Sequence, residues 1–137
     1  MVELDKRLVE MYGEPISVYT RMQAIQDGVL VDVTEWANNT QAGMAMGFDT
    51  ILGKKAPTCV TATLWAKIEV PAANVRQDTR GRAHDVLWMA ALQARLNRNA
   101  FLSGRQLHFK VKLGNRIVKP VVVLDGDGVT IGMPEDF

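Results

Sequence analysis

A histidine next to an aspartate, His84-Asp85, lies within residues 81–98, the longest stretch without proline and with good helix formers throughout. On a helix starting near Arg82, Asp85 falls on the face of Trp88, Met89, Leu92 and Leu96. A carboxylate on an apolar face has a raised pKa that suits general acid/base chemistry. The competing role is an N-cap or first-turn acid that satisfies free backbone N–H groups, and it is the commoner one for aspartate. Asp32 and Glu35 offer a second carboxylate pair, beside a turn where Asp and Thr have ordinary capping duties. Cys59, the single cysteine, becomes a nucleophile only if His84 or His108 comes close in space; among apolar neighbours it reads as a small core residue. Asp125-Gly126-Asp127-Gly128 has the look of a calcium loop without its further acidic positions and distal glutamate, which leaves a turn. No phosphate-cradling, dinucleotide, zinc-protease or nucleophile-elbow motif occurs. Catalysis has no positive signal, and no catalytic residue, metal framework or cofactor is implied.

Binding chemistry has more to work with. Arg76, Arg80 and Arg82 precede the long helix, Arg95 and Arg98 end it, and Arg105, Lys110, Lys112, Arg116 and Lys119 follow. If these converge, they form a basic surface for phosphates or for an acidic protein. Cations at a helix C-terminus and lysines on exposed strands are also ordinary dipole and edge-protection devices. Met44, Met46 and Phe48, beside Gly43 and Gly47, form an apolar cluster that could meet a partner, because Met adapts to irregular surfaces; filling the core is the alternative. Trp36, Trp65 and Trp88 each have apolar neighbours and read as core anchors rather than a base-stacking platform.

The whole-chain numbers bound these options. A chain of 137 residues fits one domain and can bury a core without staples. One cysteine excludes an intramolecular disulfide and a multi-cysteine zinc site, which points to the reducing cytoplasm. The first seven residues are charged and amphipathic, unlike a signal peptide, and no apolar run approaches the roughly 20 residues of a membrane span. The expectation is a soluble, unexported protein with no membrane partner. Sixteen Lys+Arg against fifteen Asp+Glu give a net charge of +1, so nucleic-acid binding requires a local patch.

The elements that must position these residues follow from periodicity. Residues 1–13 carry Leu4, Leu8 and Met11 at helical spacing. Residues 16–19 are a short β-prone run. Thr20 is an N-cap for a helix to Asp27 stopped by Gly28, with Met22 and Ile25 inward. Residues 29–34 are a strand, with Asp32 or Thr34 capping a turn that carries Glu35, Trp36 and Ala37. Residues 38–55 lack a clean period and read as an irregular, mobile segment with apolar anchors. From Pro57, a helix (Val60, Leu64, Trp65, Ile68) competes with a strand, because Thr58, Val60, Thr61 and Thr63 are β-branched. Residues 72–80 form a connection. After the long helix, 106–113 alternates Leu107, Phe109, Val111 and Leu113 against His108, Lys110 and Lys112, a half-buried strand. Gly114-Asn115 is a hairpin turn, 116–124 the partner strand with Pro120 at an edge or bulge, and 129–133 the last strand. The fold class is α+β: one domain with one or two main helices on a three- or four-stranded antiparallel sheet.

Several blocks of the chain together resemble a known grouping. Residues 16–21, 23–34 (QAIQDGVLVDVT), Pro57 with Thr61 and Trp65, Gly81-Arg82 with Asp85-Val86-Leu87-Trp88-Met89, and Gly126-Asp127-Gly128 with Thr130-Ile131 and Met133-Pro134-Glu135-Asp136 are similar to an uncharacterised family of small bacterial proteins from phages, plasmids and other mobile elements. Asp32-Val33-Thr34 is the most specific part. The resemblance transfers no catalytic residue. By analogy it implies a non-catalytic binder that occupies a host protein or protein complex, of which inhibitors of CRISPR or restriction systems are one class. A nucleic-acid-binding accessory protein is the alternative, a small enzyme with paired carboxylates comes third, and a homodimer through a sheet edge is open.

Overall fold

A computed structural model describes residues 20–38, 47–69 and 78–137. The expectations for residues 1–13 and 16–19, for Met44 and Met46, and for 72–77 lie outside them.

Thr20 begins the first helix, α1 (Arg21–Gln26), with a reciprocal cap: its hydroxyl accepts from the Gln23 amide, and the Gln23 side chain accepts from the Thr20 amide. Gly28, at φ 78°, turns the chain into β1 (Leu30–Asp32). Ala24 faces inward, whereas Met22 is 67% exposed, contrary to the inward position that its spacing suggests. A short helix α2 (Thr34–Asn38) follows, then α3 (Phe48–Leu52), β2 (Thr58–Thr61) and α4 (Ala62–Ile68). The two readings of the stretch after Pro57 are both realised in succession: the β-branched residues form the strand, and Thr61 then caps the helix by accepting from the Leu64 amide.

The long helix α5 (Thr79–Leu96) starts three residues before Arg82, capped by Asp78. Arg98 belongs to the next helix, α6 (Arg98–Leu102). The inward face of α5 is Ala83, Val86, Leu87, Ala90, Ala91 and Ala94, and its small side chains let the helix lie close to the sheet. Leu96, placed on the apolar face by spacing, is 70% exposed. Then come β3 (Leu107–His108), β4 (Val111–Leu113), β5 (Arg116–Val118), β6 (Val121–Asp125), β7 (Gly128–Gly132) and a 3₁₀ turn (Pro134–Asp136). Alternation along 107–113 is as read, with odd positions buried and even ones exposed. The stretch nevertheless splits between two sheets. Phe109 donates its amide to the Pro120 carbonyl at the level where Pro120 interrupts the partner strand, so β4 and β5 leave as a separate hairpin. Its turn has φ 65° at Gly114 and no positive φ at Asn115, the glycine-first pattern of a type II′ turn.

The α+β class holds, with a larger and mixed sheet: the order is β1-β2-β7-β6-β3, and β2 and β7 run parallel. The fully buried β2 is covered on both faces. Val60, Val122, Val129 and Ile131 meet α5 and the rest of the core, and α1 lies over the opposite face. Residues 47–55 correct the irregular reading. Phe48 is fully buried, its ring 5.9 Å from that of Phe101, so it fills the core and offers no surface to a partner. The Asn38 side chain donates to the Thr34 and Ala56 carbonyls and accepts from the Ala56 amide, tying α2 to the start of β2.

The parallel seam depends on glycine. A Cβ at Gly128 (φ 133°) would stand 2.2 Å from the Pro57 carbonyl oxygen, which accepts the Val129 amide at 2.8 Å. Gly128→Ala is expected to cost about 3 kcal/mol in urea unfolding; a loss below about 1 kcal/mol would mean that the seam can part locally.

Candidate functional site

Asp32 Oδ1 accepts from both the amide (3.0 Å) and the hydroxyl (2.5 Å) of Thr34, so it holds the entry to α2. The Thr34 hydroxyl and amide, followed by the charges of Arg21 and Lys55, hold its carboxyl below the usual aspartate value against the opposing effect of burial. Glu35 pairs with Lys55. His84 Nδ1 lies 3.8 Å from Asp85 Oδ1, both substantially exposed on α5. Asp85 is neither on the buried face nor the cap, which is Asp78. Asp32 and Glu35 share one groove and Asp85 lines another, so the four-residue pocket is not formed. Cys59 is fully buried, and that burial pushes its thiol up in spite of the nearby Arg21 guanidinium. A buried thiol with a raised pKa is a poor nucleophile.

Among the basic residues, the alternation of β4 decides which converge. Val111 and Leu113 point into the core, and Lys110 and Lys112 stand outward against the side of α5. There they line a groove of about 280 Å³ with Asp85, Trp88 and Met89. Trp88 and Met89 are half-buried, packed against the core with one side open. Arg82 and Gly114 continue the same surface past Lys112. Arg95, Arg98, Arg105 and Arg116 are exposed but line neither of these grooves. The groove thus brings two lysines and one carboxylate together with the apolar Trp88, Met89 and Val111.

Two further concave regions escape a reading by sequence spacing. Over the α1 side of the sheet, a cavity of about 430 Å³ is bordered by Arg21, Thr61, Thr130 and the carboxylates Asp125 and Asp136. Arg21 spends its guanidinium on the fold, donating to the Val129 carbonyl (3.2 Å) and the Thr130 hydroxyl (2.8 Å), with Asp125 at 3.9 Å. At the far side of the same region, Thr61 donates to Asp136 Oδ2 (2.7 Å), which also accepts the Met133 amide. The second region lies where α2 meets α4, lined by Trp36 and Trp65 with Asp32 and Glu35. Only tertiary structure brings Trp36 and Trp65 together. A threonine–carboxylate or arginine–hydroxyl contact over some 75 or 109 positions leaves no trace in local spacing.

No helix among the described residues is long and apolar enough to cross a membrane, and no group of three or more metal-ligating side chains occurs among them. The chain matches no family model, no curated protein and no solved structure, so no relative's residues can be carried onto these grooves.

Two outcomes check these placements. With its folded pKa below the unfolded one, ionised Asp32 stabilises the fold above the unfolded value, and the contribution disappears as pH falls through the folded value. The stability difference between the wild type and Asp32→Asn is therefore expected to stay level from pH ~7 to ~5 and to shrink below about pH 4. Thermal unfolding across that range would reveal a difference that fails to shrink. Cys59 is expected to react with a disulfide-exchange reagent at least about a hundredfold more slowly in the native chain than in urea; comparable rates would place the thiol at the surface.

Proposed function

We propose that this protein is a non-catalytic binding protein that takes an acidic segment of a protein partner in the groove between α5 and the β4–β5 hairpin. One observation carries the reading: Lys110 and Lys112 flank a half-buried Trp88 and Met89 in one groove. An apolar side chain of the partner can cover the indole and thioether while its carboxylates meet the ammonium groups, which combines a desolvated anchor with charge selection. Asp85 at the edge selects register, since an acidic residue placed against it is repelled. The resemblance read in the blocks around Asp32-Val33-Thr34 and Asp85-Val86-Leu87-Trp88-Met89 to mobile-element proteins, a reading of the sequence alone, points to a bacterial host protein as the partner. A component of a host defence system, inhibited by stoichiometric occupation in the manner of an anti-CRISPR protein, fits that reading, and the cytoplasm is the compartment it implies.

A nucleic acid is the second reading, because Lys119 continues the exposed basic character of the hairpin beyond Lys110 and Lys112. The two separate in one experiment. The wild type and the Lys110→Glu/Lys112→Glu double variant are used as bait in a bacterial host lysate, with and without nuclease, at low and high salt. A protein that the wild type retains after nuclease treatment, and that the double variant holds at least about tenfold more weakly, is the expected result. Equal retention by both baits would remove the groove from the interaction, and recovery of nucleic acid alone, lost at high salt, would overturn the protein-binding reading.

A further inference from the structure

We propose that the groove where α2 meets α4 is a second recognition site, one that takes a cationic side chain, lysine or arginine, from a basic segment of a protein partner. Its lining combines two indoles, Trp36 and Trp65, with two carboxylates, Asp32 and Glu35. Its volume, about 270 Å³, falls below the usual range for drug-sized ligands and suits one long side chain. Both indoles are half-buried and packed against the core, so their positions are set before anything binds and little ordering remains to be done.

The chain's own cations identify the chemistry. The Arg80 guanidinium lies 5.8 Å from the ring centroid of Trp36, within the range at which an aromatic face attracts a cation. Lys55 pairs with Glu35 at the rim. Both partners of that pair are largely exposed, 53% and 82%, so solvent screens it and it exchanges readily with an incoming cation. At Asp32 both hydrogen bonds from Thr34 go to Oδ1, which leaves Oδ2 the capacity to accept from an ammonium or guanidinium group. The Thr34 hydrogen bonds, followed by the charges of Arg21 and Lys55, keep Asp32 ionised. Two carboxylates repel an anionic ligand, and the described residues hold no set of three ligands for a metal ion. The occupant that satisfies both the aromatic faces and the carboxylates is therefore an organic cation on a flexible stem.

The test uses the full chain labelled with ¹⁵N and a short blocked peptide carrying one lysine and one arginine between glycines. Its control has glutamates in their place. The indole N–H resonances of Trp36 and Trp65 are expected to move together with a dissociation constant on the order of 1 mM, while that of Trp88 stays still as an internal control. Glu35→Gln, which removes one exposed charge, is expected to weaken binding about two- to fivefold, and so is Trp65→Phe, which keeps an aromatic ring in the packing. The proposal is overturned by any of four results: no movement at Trp36 and Trp65, equal movement of all three indoles, an equal response to the glutamate peptide, or unchanged affinity in both variants.

Discussion

The parallel pairing of β2 with β7 is the constraint on which the rest of this fold depends. It joins Thr58–Thr61 to Gly128–Gly132, and all the chain between must serve as its crossover. Parallel neighbours cannot be linked by a tight turn. The intervening residues therefore supply helices to cover the sheet and then an antiparallel return, β3 and β6, to bring β7 into place. The seam is fixed at both ends. Pro57 meets the Val129 amide past Gly128 at one end, and Thr61, Asp136 and Gly132 interlock at the other, where a Cβ on Gly132 would stand 2.6 Å from the Thr61 methyl carbon. Arg21 crosses the seam from the other side, bonded to the backbone of Val129 and the hydroxyl of Thr130.

Once α5 must lie on the sheet, its composition sets what the surface can offer. An inward face built largely of alanine brings the helix axis close and leaves the large side chains on its flanks. Trp88 and Met89 consequently stand half-open beside the hairpin instead of disappearing into the core. The hairpin itself exists as a separate sheet because the chain breaks its ladder at Pro120, and that break turns Lys110 and Lys112 toward α5. A chain of net charge +1 thus holds an ammonium-lined groove on one side of α5 and a carboxylate-lined groove at α2 and α4.

Local chemistry was legible wherever it was local. The Thr20 cap, the Gly28 stop, the Asp32–Thr34 turn, the alternation of 107–113 and the turns at Gly114 and Asp125 all depend on residues a few positions apart. Contacts made at a distance were not legible. The stretch after Pro57 reads as helix or strand because a four-residue strand runs directly into a seven-residue helix, each too short for its period to dominate. Phe48, one of three apolar residues that could meet a partner or fill the core, is decided by Phe101, more than fifty positions later. The α5 face was misassigned because hydrophobic spacing weights Trp, Met and Leu above alanine, whereas close packing favours alanine at the contact. Of the basic candidates, alternation identified Lys110 and Lys112 as outward, but nothing local could say that Trp88 and Asp85 would be the residues they meet.

Of the polar residues that first suggest catalysis, Asp32 serves as a fastener and Cys59 is buried in the core, whereas Glu35, His84 and Asp85 stay substantially exposed. A domain with one cysteine, no disulfide and only short edge strands, β1 of three residues and β3 of two, must hold its seams by hydrogen bonds and packing. Asp32 and Thr34 secure α2, Asn38 and Thr58 secure the start of β2, and Thr61 and Asp136 secure its end. Apart from Asp32, which commits only Oδ1, each of these groups has its oxygen or nitrogen committed to a partner within the fold, and removing any one would leave a donor or acceptor unmatched. What the fold does not consume is different in kind: half-open indoles, lysines on an outward strand face, and an exposed glutamate paired with a screened surface lysine. Side chains of that sort do little for stability and much for contact with another surface. The division between spent and unspent polar groups is what the proposed contact surfaces are built on, since the unspent groups lie in the two grooves.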